Sequence, residues 1–436
     1  MDKNSILSIL NDWNFWSKNL DTGVKRDFYL KKLKKFLNSN HTIVITGARK
    51  SGKSFIMKQL ARELIKEGVD KKNILIVNFN DPRFDYLDAN ILQQIYETYL
   101  EFLSPDNTPY IFLDEVQEVR EWEKWAITMH ELGKAKIVVS GSNAKLLSQE
   151  LSTLLTGQHL DLTVFPLSFR EFLKFNNISF KNRLDIVSQR INIQSLARQY
   201  IESGGFPEVV LGENKKEILL TYFNDILNKD LVWRYKVRKS EKLKSLIKFY
   251  MSNTSSLTTF RSMGKFLEIP HDTIKQFSGY FTNAFLIFFL KRFSFKTREQ
   301  DKSPRKIYTI DGGLSNAVGF SFSENLGKLA ENIVFLELQR KKISNPDLEI
   351  YYWKNERHQE VDFVVKNKNN ITELIQVCWD LSNIKTKKRE IGSLLKATEA
   401  LSIKEGLIIT SDFNGEENIK GKRIKFIPLW EWLLSK

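Results

Sequence analysis

Gly47-Ala-Arg-Lys-Ser-Gly-Lys-Ser54 decides the fold of this 436-residue chain. The stretch fits the pattern G-x-x-x-x-G-K-[ST] at every fixed position. It follows an apolar, β-branched run, His41–Thr46, and precedes apolar residues at helical spacing that end before Gly68. A strand, a glycine-rich loop and a helix form the context in which backbone N–H groups wrap a phosphate. The stretch therefore predicts a phosphate-binding loop; a chance match on a glycine-rich turn is the alternative.

The residue types of the loop each suit a step of nucleotide chemistry. The glycines let the backbone N–H groups approach a phosphate at the positive end of a helix. Lys53 would reach the β- and γ-phosphates, and the Ser54 hydroxyl would ligate magnesium. The sequence thus predicts ATP and Mg²⁺ as cofactors. The predicted nucleotide-binding residues are Gly47, Ala48, Arg49, Lys50, Ser51, Gly52, Lys53 and Ser54.

A second apolar run, Tyr110–Leu113, ends in two acidic residues, Asp114 and Glu115. An aspartate at the carboxyl end of a parallel strand beside the loop can hold the hydration shell of the magnesium ion. The neighbouring glutamate can orient and deprotonate the attacking water, which is a general-base role. An ordinary strand end is the alternative. Lys53, Asp114 and Glu115 are the predicted catalytic residues, and Ser54 and Asp114 the predicted metal ligands.

A third run, Lys136–Ser140, leads to Ser142 and Asn143. A polar side chain in this place can sense the γ-phosphate or the water, although Gly-Ser-Asn is also a common turn. Ile74–Asn78 is a further predicted strand. Residues 40–165 therefore alternate strands and helices, as a parallel α/β sheet does.

Four phrases together, GARKSGKS, YIFLDEVQEV, VVSGSNAKLLS and VFPLSFREFL, resemble a family of prokaryotic, largely archaeal, AAA-like P-loop ATPases. Pro166–Phe172 (PLSFREF) and Gly204–Pro207 (GGFP) are especially specific to it. The resemblance covers roughly residues 13 to 430. It implies an α/β fold with a P-loop core, a winged-helix middle domain and a restriction-endonuclease-like C-terminal α/β domain. The predicted segments are 1–180 (ATPase core), 181–238 (helical lid or linker), 239–318 (winged helix-turn-helix) and 319–436 (nuclease-like domain).

The resemblance also implies details around the nucleotide. The segment from Val24 to Asp27 matches a short basic segment that lies near the adenine in such ATPases. Before the PLSF phrase the family carries Gly-Arg, whereas this chain has Gly157-Gln158. A glutamine cannot supply a cation, and an arginine finger contributes about 10³–10⁵ in rate. Either Arg170, Arg234 or Arg238 takes that role, or hydrolysis is slow. Since AAA-like cores often form rings, a homo-oligomer is a further expectation.

The positive charge of the chain is concentrated in one segment. The net charge is +15, and residues 231–310 hold 17 basic and 5 acidic residues, so they carry +12 and the remainder only +3. Such a local surplus is the electrostatic footprint of a phosphate-backbone partner. A solvated, solubilising face is the alternative.

The pattern within this segment predicts a winged helix. Thr258–Leu267 is typical of a short helix that Pro270 ends, and 272–281 is typical of a second helix capped by His271 or Asp272. Two predicted strands, 284–293 and 305–310, enclose a basic tip. With few side chains that read bases, the pattern favours DNA-backbone or structure-selective binding over sequence recognition. The predicted DNA contacts are Arg261, Lys265, Lys275, Lys296, Arg298 and Lys302; a lid or a protein-docking module is the alternative.

The C-terminal segment resembles restriction-endonuclease-like nucleases, with altered chemistry. Their metal-dependent cleavage needs an aspartate and an E-x-K motif on neighbouring strands. Asp362 matches the aspartate and Glu331 matches an acidic residue on the first helix. The E-x-K positions are Gln376 and Cys378, which supply neither a carboxylate nor an ammonium. We therefore expect a binding domain that kept the fold without the cleavage activity.

Composition excludes several classes of protein. A hydrophobic content of 42% excludes a disordered polyelectrolyte. The single cysteine excludes an internal disulfide, and no apolar run reaches the ~18 residues of a membrane span. The first residues lack the features of a secretory signal, which favours a cytoplasmic location. The sequence predicts an ATP-hydrolysing, DNA-binding protein; a nucleotide-gated switch with a protein partner and a metal-dependent nuclease are the alternatives.

Overall fold

A computed structural model describes residues 1–143, 159–320 and 325–435 of the protein. They divide into two units, Met1–Val164 and Phe165–Lys436. Each unit buries a hydrophobic core of its own. Within the described residues, no helix is both long and apolar enough to cross a membrane.

The first unit contains a five-stranded sheet in the order β2-β3-β4-β1-β5. All neighbouring strands are parallel. Its strands are Thr42–Thr46 (β1), Ile74–Asn78 (β2), Tyr110–Asp114 (β3), Lys136–Gly141 (β4) and His159–Thr163 (β5). The strands β1 to β4 are almost wholly buried, which explains why they are continuous apolar runs rather than alternating ones. The predicted parallel α/β core is confirmed.

Helices of the first unit cover the sheet. They are Lys3–Trp13, Asp27–Leu37, Lys53–Lys66, Ala89–Leu103 and Trp122–Glu131, with 3₁₀ turns at Lys71–Asn73 and Val116–Glu118. The segment after the first helix also forms hydrogen bonds with backbone groups of the edge strand β2. The Asn14 side chain accepts a hydrogen bond from the Ile76 N–H (2.7 Å) and donates one to its carbonyl (2.9 Å). This pairing protects a sheet edge that would otherwise expose unpaired backbone groups.

The second unit is richer in helices and holds two sheets. Its α-helices are Phe169–Phe175, Arg183–Ser188, Arg190–Ser203, Pro207–Leu211, Lys215–Asp225, Ser240–Ser252, Phe260–Leu267, His271–Asn283, Thr297–Lys302, Gly312–Val318, Leu326–Ser344, Ile384–Ala400 and Leu429–Leu434, and Ile226–Trp233 is a π-helix. Its strands are Leu257–Thr258 (β6), Ile287–Leu290 (β7), Arg305–Thr309 (β8), Leu348–Lys354 (β9), Glu360–Asn367 (β10), Asn370–Val377 (β11), Glu405–Thr410 (β12), Gly415–Ile419 (β13) and Lys422–Pro428 (β14).

The middle segment contains two successive helices and a small antiparallel sheet in the order β6-β8-β7. Three local expectations differ from the structure. The strand predicted over 284–293 is limited to β7, and the loop predicted at the tip contains the helix Thr297–Lys302. The second helix begins at His271 after Pro270, and no side chain caps it. The N-cap position is held by Pro270 itself, whose side chain has no acceptor atom with which to cap the helix.

The C-terminal segment forms a six-stranded mixed sheet in the order β13-β14-β12-β11-β10-β9. Strands β11, β12 and β14 are parallel neighbours, whereas β9, β10 and β13 pair in an antiparallel way. The apolar runs Ile350–Trp353, Glu360–Val365, Leu374–Cys378 and Gly406–Thr410 predict four strands, and these correspond to β9 to β12. The hairpin β13–β14 was not predicted.

Two sequence phrases that carried the family resemblance meet inside the second unit. The Leu167 N–H donates a hydrogen bond to the Gly205 carbonyl at 2.7 Å, and the Gly205 N–H donates to Asp311 Oδ2 at 2.7 Å. Gly204 has a φ of 77°, and a Cβ there would lie 1.9 Å from Asp311 Oδ1. The PLSF and GGFP phrases therefore have a structural role, since glycine is required for this close approach.

Candidate nucleotide-binding site

The loop between β1 and the helix Lys53–Lys66 has the geometry that its glycines predict. Gly52 adopts a left-handed conformation (φ 99°) directly before the first helical residue. Gly47 also has a positive φ, and a Cβ there would lie 2.2 Å from the Val164 carbonyl oxygen. The backbone can turn and approach this closely only because both positions lack a side chain. The helix N-terminus, with its free N–H groups, consequently faces the loop.

Lys53 lies at the start of this helix with its side chain only 3% exposed. Its ammonium donates hydrogen bonds to the Gly47 and Ala48 carbonyl oxygens, both at 3.1 Å. The Glu115 Oε1 atom is 3.8 Å from the same nitrogen. Two of its partners are thus neutral carbonyls of the loop. Phosphate oxygens are charged, so they would replace these carbonyls as stronger hydrogen-bond acceptors for the ammonium. This arrangement suits a lysine that binds phosphate.

Asp114 lies at the carboxyl end of β3 and is buried. Its carboxylate accepts hydrogen bonds from the hydroxyls of Ser140 and Ser54. Burial raises the pKa of Asp114 above its ordinary value, and the neighbouring Glu115 charge raises it further. A bound cation would reverse this effect by favouring the ionised carboxylate. The structure therefore brings together the two predicted magnesium ligands, Ser54 and Asp114.

Glu115 is buried and has an unusual backbone conformation for a residue other than glycine, with φ at 54°. Its N–H donates to Ser140 Oγ at 3.2 Å, and its carboxylate accepts from the Gln117 side-chain amide. Left-handed residues of this kind carry strain and occur often at functional sites. The strained turn directs a glutamate towards Lys53, where a general base for an attacking water would be needed.

The structure describes only some of the remaining residues that the sequence analysis singled out. Ser142 and Asn143 follow β4 directly and are both buried. Their role as sensors stays a prediction. Gly157 and Gln158, the departure from the family pattern, lie outside the described residues. The Arg170 guanidinium donates to the Leu434 carbonyl at 2.7 Å.

The loop fits a nucleotide phosphate chemically. The Ser51 hydroxyl is buried and has no hydrogen-bond partner within the described residues. An unsatisfied buried hydroxyl is costly, and a phosphate oxygen would satisfy it. In the part of the chain that the structure describes, no three histidine, cysteine or acidic side chains form a group suited to a metal ion. Mg²⁺ is usually held by one or two protein ligands together with phosphates, and Ser54 and Asp114 would be those ligands here.

Sequence reasoning missed the side chains that hold the loop in place. The Arg26 guanidinium is buried, donates to the Ser51 carbonyl at 2.8 Å and lies over the Tyr29 ring at 4.5 Å. The Arg26 N–H donates to Gln59 Oε1 at 3.0 Å, and the Gln59 amide donates to the Thr22 carbonyl at 2.7 Å. The resemblance predicted only that the segment from Val24 to Asp27 lies near the adenine. No motif marks Gln59, which lies on the helix that follows the loop.

The predicted DNA contacts all lie at the surface of the middle segment. The six exposed residues are Arg261, Lys265, Lys275, Lys296, Arg298 and Lys302. Lys296 pairs with Glu299 at 3.5 Å. The other five form no ion pair with any described residue. Lys306 also belongs to the segment 231–310, whose net charge is +12. Its side chain is buried, however, and contributes no surface charge.

The nuclease-like positions are buried as well. The Gln376 Oε1 atom accepts from the Asp362 N–H at 3.1 Å, and its amide donates to Glu390 Oε2 at 2.8 Å. Burial raises the pKa of the Cys378 thiol to about 11, so the thiol stays protonated at neutral pH. Glu331 and Asp362 both contact Lys306. Neither Glu390 nor Lys306 was predicted for this region.

Comparison with known families and proteins agrees with this site. An AAA domain model matches residues 39–173, and two domains of unknown function, DUF8612 and DUF4143, match 194–326 and 326–432. The uncharacterized protein MJ1544 of Methanocaldococcus jannaschii is 34% identical, over 94% of this chain and 91% of that protein. An uncharacterized Haemophilus influenzae protein is 30% identical, over 94% of this chain and 99% of that protein.

Among solved structures, a Walker-type ATPase of Pyrococcus abyssi is 12% identical with a TM-score of 0.44, covering 67% of this chain and 95% of that one. The two sequence relatives come from an archaeon and a bacterium. The AAA domain, the parallel sheet and the phosphate loop identify an ATPase of the AAA-like type. The chain therefore belongs to the AAA-domain family that includes MJ1544 of Methanocaldococcus jannaschii.

Proposed function

We propose that this protein hydrolyses ATP at the phosphate loop and binds DNA, with little sequence preference, through the middle segment. The observation that carries the proposal is the joint placement of Lys53, Ser54, Asp114 and Glu115 at one end of the parallel sheet. The exposed, unpaired cations of the middle segment support the DNA part of the proposal.

Hydrolysis is supported by the division of tasks between the two acids. The Asp114 carboxylate accepts hydrogen bonds from the Ser54 and Ser140 hydroxyls. Such a position suits a residue that helps to hold Mg²⁺. Glu115 has its carboxylate 3.8 Å from the Lys53 ammonium and lies on a strained turn. In this proposal Glu115 orients the attacking water and accepts its proton. Lys53 would stabilise the charge that develops on the transferred phosphoryl group.

DNA binding is supported by cations that form no ion pair with any described residue. Arg261 and Lys265 lie on the helix Phe260–Leu267, Lys275 lies on His271–Asn283, and Arg298 and Lys302 lie between β7 and β8. A cation already held by a carboxylate has less to gain from a phosphate. Because these five are exposed and pair with no carboxylate in the described part of the chain, they are available for phosphate contacts and for counterion release.

Weak sequence preference follows from the composition of the second helix. Its exposed face offers Lys275 and Gln276, and the Gln276 amide already donates to the Tyr280 hydroxyl at 2.6 Å. Base discrimination usually depends on several bidentate side chains in the major groove. The interpretation of the segment as a winged helix stays a prediction, and so does its groove contact.

The decisive experiment measures ATP turnover and DNA affinity on the same preparations. Single-stranded, duplex, forked and four-way-junction DNA are titrated between about 50 and 200 mM salt, where backbone contacts lose affinity steeply. The variant R261A/K265A/K275A should reduce the slope of log affinity against log salt by about 2–3. The matched control, K216A/K388A/K404A, removes three exposed lysines outside the basic segment and should leave the slope unchanged.

The outcomes separate the two parts of the proposal. No DNA binding at 50 mM salt would exclude the DNA part and favour a protein partner. Equal slopes for the variant and its control would exclude this surface. Turnover that is unaffected by K53A would exclude hydrolysis at the loop, whatever the DNA result. The nuclease alternative is disfavoured because the side chains of Asp362 and Glu331 are engaged with Lys306.

A further inference from the structure

A buried lysine lies at the centre of an acidic cluster in the second unit. The Lys306 ammonium is 2.6 Å from Asp362 Oδ1, 2.9 Å from Glu331 Oε1 and 2.9 Å from Glu360 Oε1. Its side chain is 3% exposed. A lysine has three N–H donors, so three carboxylates satisfy it completely. We call Lys306, Glu331, Glu360 and Asp362 the Lys306 cluster.

The charges of this cluster depend on one another. Burial by itself lowers the pKa of Lys306, but Asp362, Glu331 and Glu360 outweigh it and hold this pKa well above its ordinary value. Burial raises the pKa of Glu331 to about 8, and the Asp362 charge contributes. Removing the ammonium would leave Asp362 and Glu331 without a cationic partner among the described residues, while Glu360 would keep its ion pair with Lys354 at 3.2 Å. A buried charge that has lost its partner is strongly destabilising.

Further hydrogen bonds fix two of the three carboxylates in place. Asp362 Oδ2 accepts from the Val377 N–H at 2.8 Å, which ties the cluster to β11. Glu331 Oε1 accepts from the Tyr308 hydroxyl at 2.7 Å, and Tyr308 lies two residues after Lys306 on the same face of β8. The carboxylates are therefore oriented towards the ammonium by a surrounding shell, as ligands of a bound ion are.

The cluster joins two sheets. Lys306 lies on β8, in the sheet with the order β6-β8-β7, whereas Asp362 and Glu360 lie on β10 in the six-stranded sheet. Backbone contacts run beside this junction. The Phe293 N–H donates to the Tyr352 carbonyl at 2.6 Å, and the Tyr352 N–H donates to the Lys291 carbonyl at 3.0 Å. The β7–β8 pair is thus attached to the six-stranded sheet by its backbone and by a buried ion cluster.

We propose that Lys306 is an internal cation that neutralises this acidic cluster and locks the β6-β8-β7 sheet to the β9–β14 sheet. The lock makes the connection between β7 and β8, with Arg298 and Lys302, a fixed extension of the C-terminal sheet. It also makes the cluster independent of divalent metal. This inference does not depend on the proposed ATPase or DNA-binding function.

The test uses the full-length protein without nucleotide. K306M should lower the melting temperature by about 10 °C, as loss of the cation from a buried cluster predicts. Amide exchange of Arg305–Thr309 should accelerate at least about tenfold if the local opening free energy falls with it. The matched control, K291M, removes an exposed lysine from the same segment, whose one ion pair among the described residues is with Asp301 (2.8 Å). Its melting temperature should stay within about 2 °C of wild type.

The double variant K306M/D362N separates the effect of the unpaired carboxylate charge from the effect of the changed side-chain packing. It should recover part of the lost melting temperature, because it removes one of the carboxylates left unpaired. If K306M does not fold, a folded K306M/D362N supports the lock, and an unfolded one overturns it. A K306M protein that melts within about 2 °C of wild type also overturns it.

The metal arm follows amide exchange of β8 and β10 in the wild type, since the phosphate loop itself can bind Mg²⁺. Exchange of these strands should be the same in Mg²⁺, Mn²⁺ and EDTA. Protection that rises on adding Mn²⁺ would show that a metal, and not Lys306, neutralises the carboxylates, and would overturn the proposal.

Discussion

Lys53 and Lys306 are two buried lysines with opposite uses. Each side chain is 3% exposed, and each lies near carboxylates. Lys53 donates to two backbone carbonyls and is 3.8 Å from Glu115, whereas Lys306 has three carboxylate oxygens within 2.9 Å. The partners of Lys53 are neutral atoms that a phosphate can replace. The partners of Lys306 are buried carboxyl groups, whose charge the ammonium balances.

The difference shows that burial of a charged group does not by itself mark a ligand site. What matters is whether the group is fully satisfied by the protein. A lysine whose three donors are all taken by carboxyl oxygens gains nothing from an added anion. A lysine held by loop carbonyls keeps most of its electrostatic attraction for one. Lys53 should therefore affect activity more than stability, and Lys306 stability more than activity.

The largest expected effect concerns Lys53. K53A should lower ATP turnover about 10³-fold, because positioned charge on the transferred phosphoryl group is among the largest contributions to catalysis. Its melting temperature without nucleotide should change little. Steady-state phosphate release and calorimetry measure the two quantities. K66A, an exposed lysine at the end of the same helix, is the control. Large destabilisation of K53A would contradict the comparison.

A third buried charge extends the comparison to pH. Burial raises the pKa of Asp311 to about 6, although the Gly205 and Leu314 N–H groups bind the carboxylate. The folded state therefore favours the protonated form, and stability should fall as pH rises from about 4 to about 6. By 1.36 kcal/mol per pKa unit, this group contributes a loss of about 3 kcal/mol.

D311N should lack that part of the pH dependence, while being less stable overall because its amide offers one acceptor fewer. Urea unfolding at pH 4, 5, 6 and 7 measures the difference. Parallel curves for D311N and wild type would contradict the assignment of the titration to Asp311.

The next prediction concerns Glu115, the acidic residue beside Lys53. E115Q should lower turnover about 10²-fold, because an amide cannot accept the proton of the attacking water. ATP binding should persist, since the loop and Lys53 remain. Turnover and nucleotide titration measure the two effects. E121Q alters an exposed glutamate nearby and should stay near wild type. Equal losses of binding and turnover in E115Q would indicate a structural role instead.

The smallest effect is expected at Arg26. R26A removes the donor that holds the Ser51 carbonyl at 2.8 Å, so the loop is less well preorganised. A charged hydrogen bond contributes about 1.5–3 kcal/mol, and part of it should appear as a roughly tenfold weaker ATP affinity. Titration with a non-hydrolysable ATP analogue measures this. K25A, at a neighbouring exposed residue, serves as the control. An unchanged affinity would show that the loop keeps its conformation without Arg26.

Much of the first unit could be predicted from the sequence because its signals are local. Four of its strands are apolar runs, and the phosphate loop, the helix start and the acidic strand end are contiguous motifs. The strand β5 was missed, since its sequence, His159–Thr163, alternates polar and apolar residues and lacks a continuous apolar run. The helices and strands of the middle segment were predicted with boundary errors of a few residues, where Pro270 and the short helix Thr297–Lys302 alter the local pattern.

The sequence by itself determined that this chain holds a phosphate loop, because its eight residues and the first helical turn are adjacent and their chemistry is local. Only the tertiary structure decided the role of Lys306. Its carboxylate partners lie 25, 54 and 56 residues further along the chain, on a helix and on β10. From the sequence it is one more basic residue in a +12 segment. Folding places it in the interior, where its charge has to be balanced by the protein.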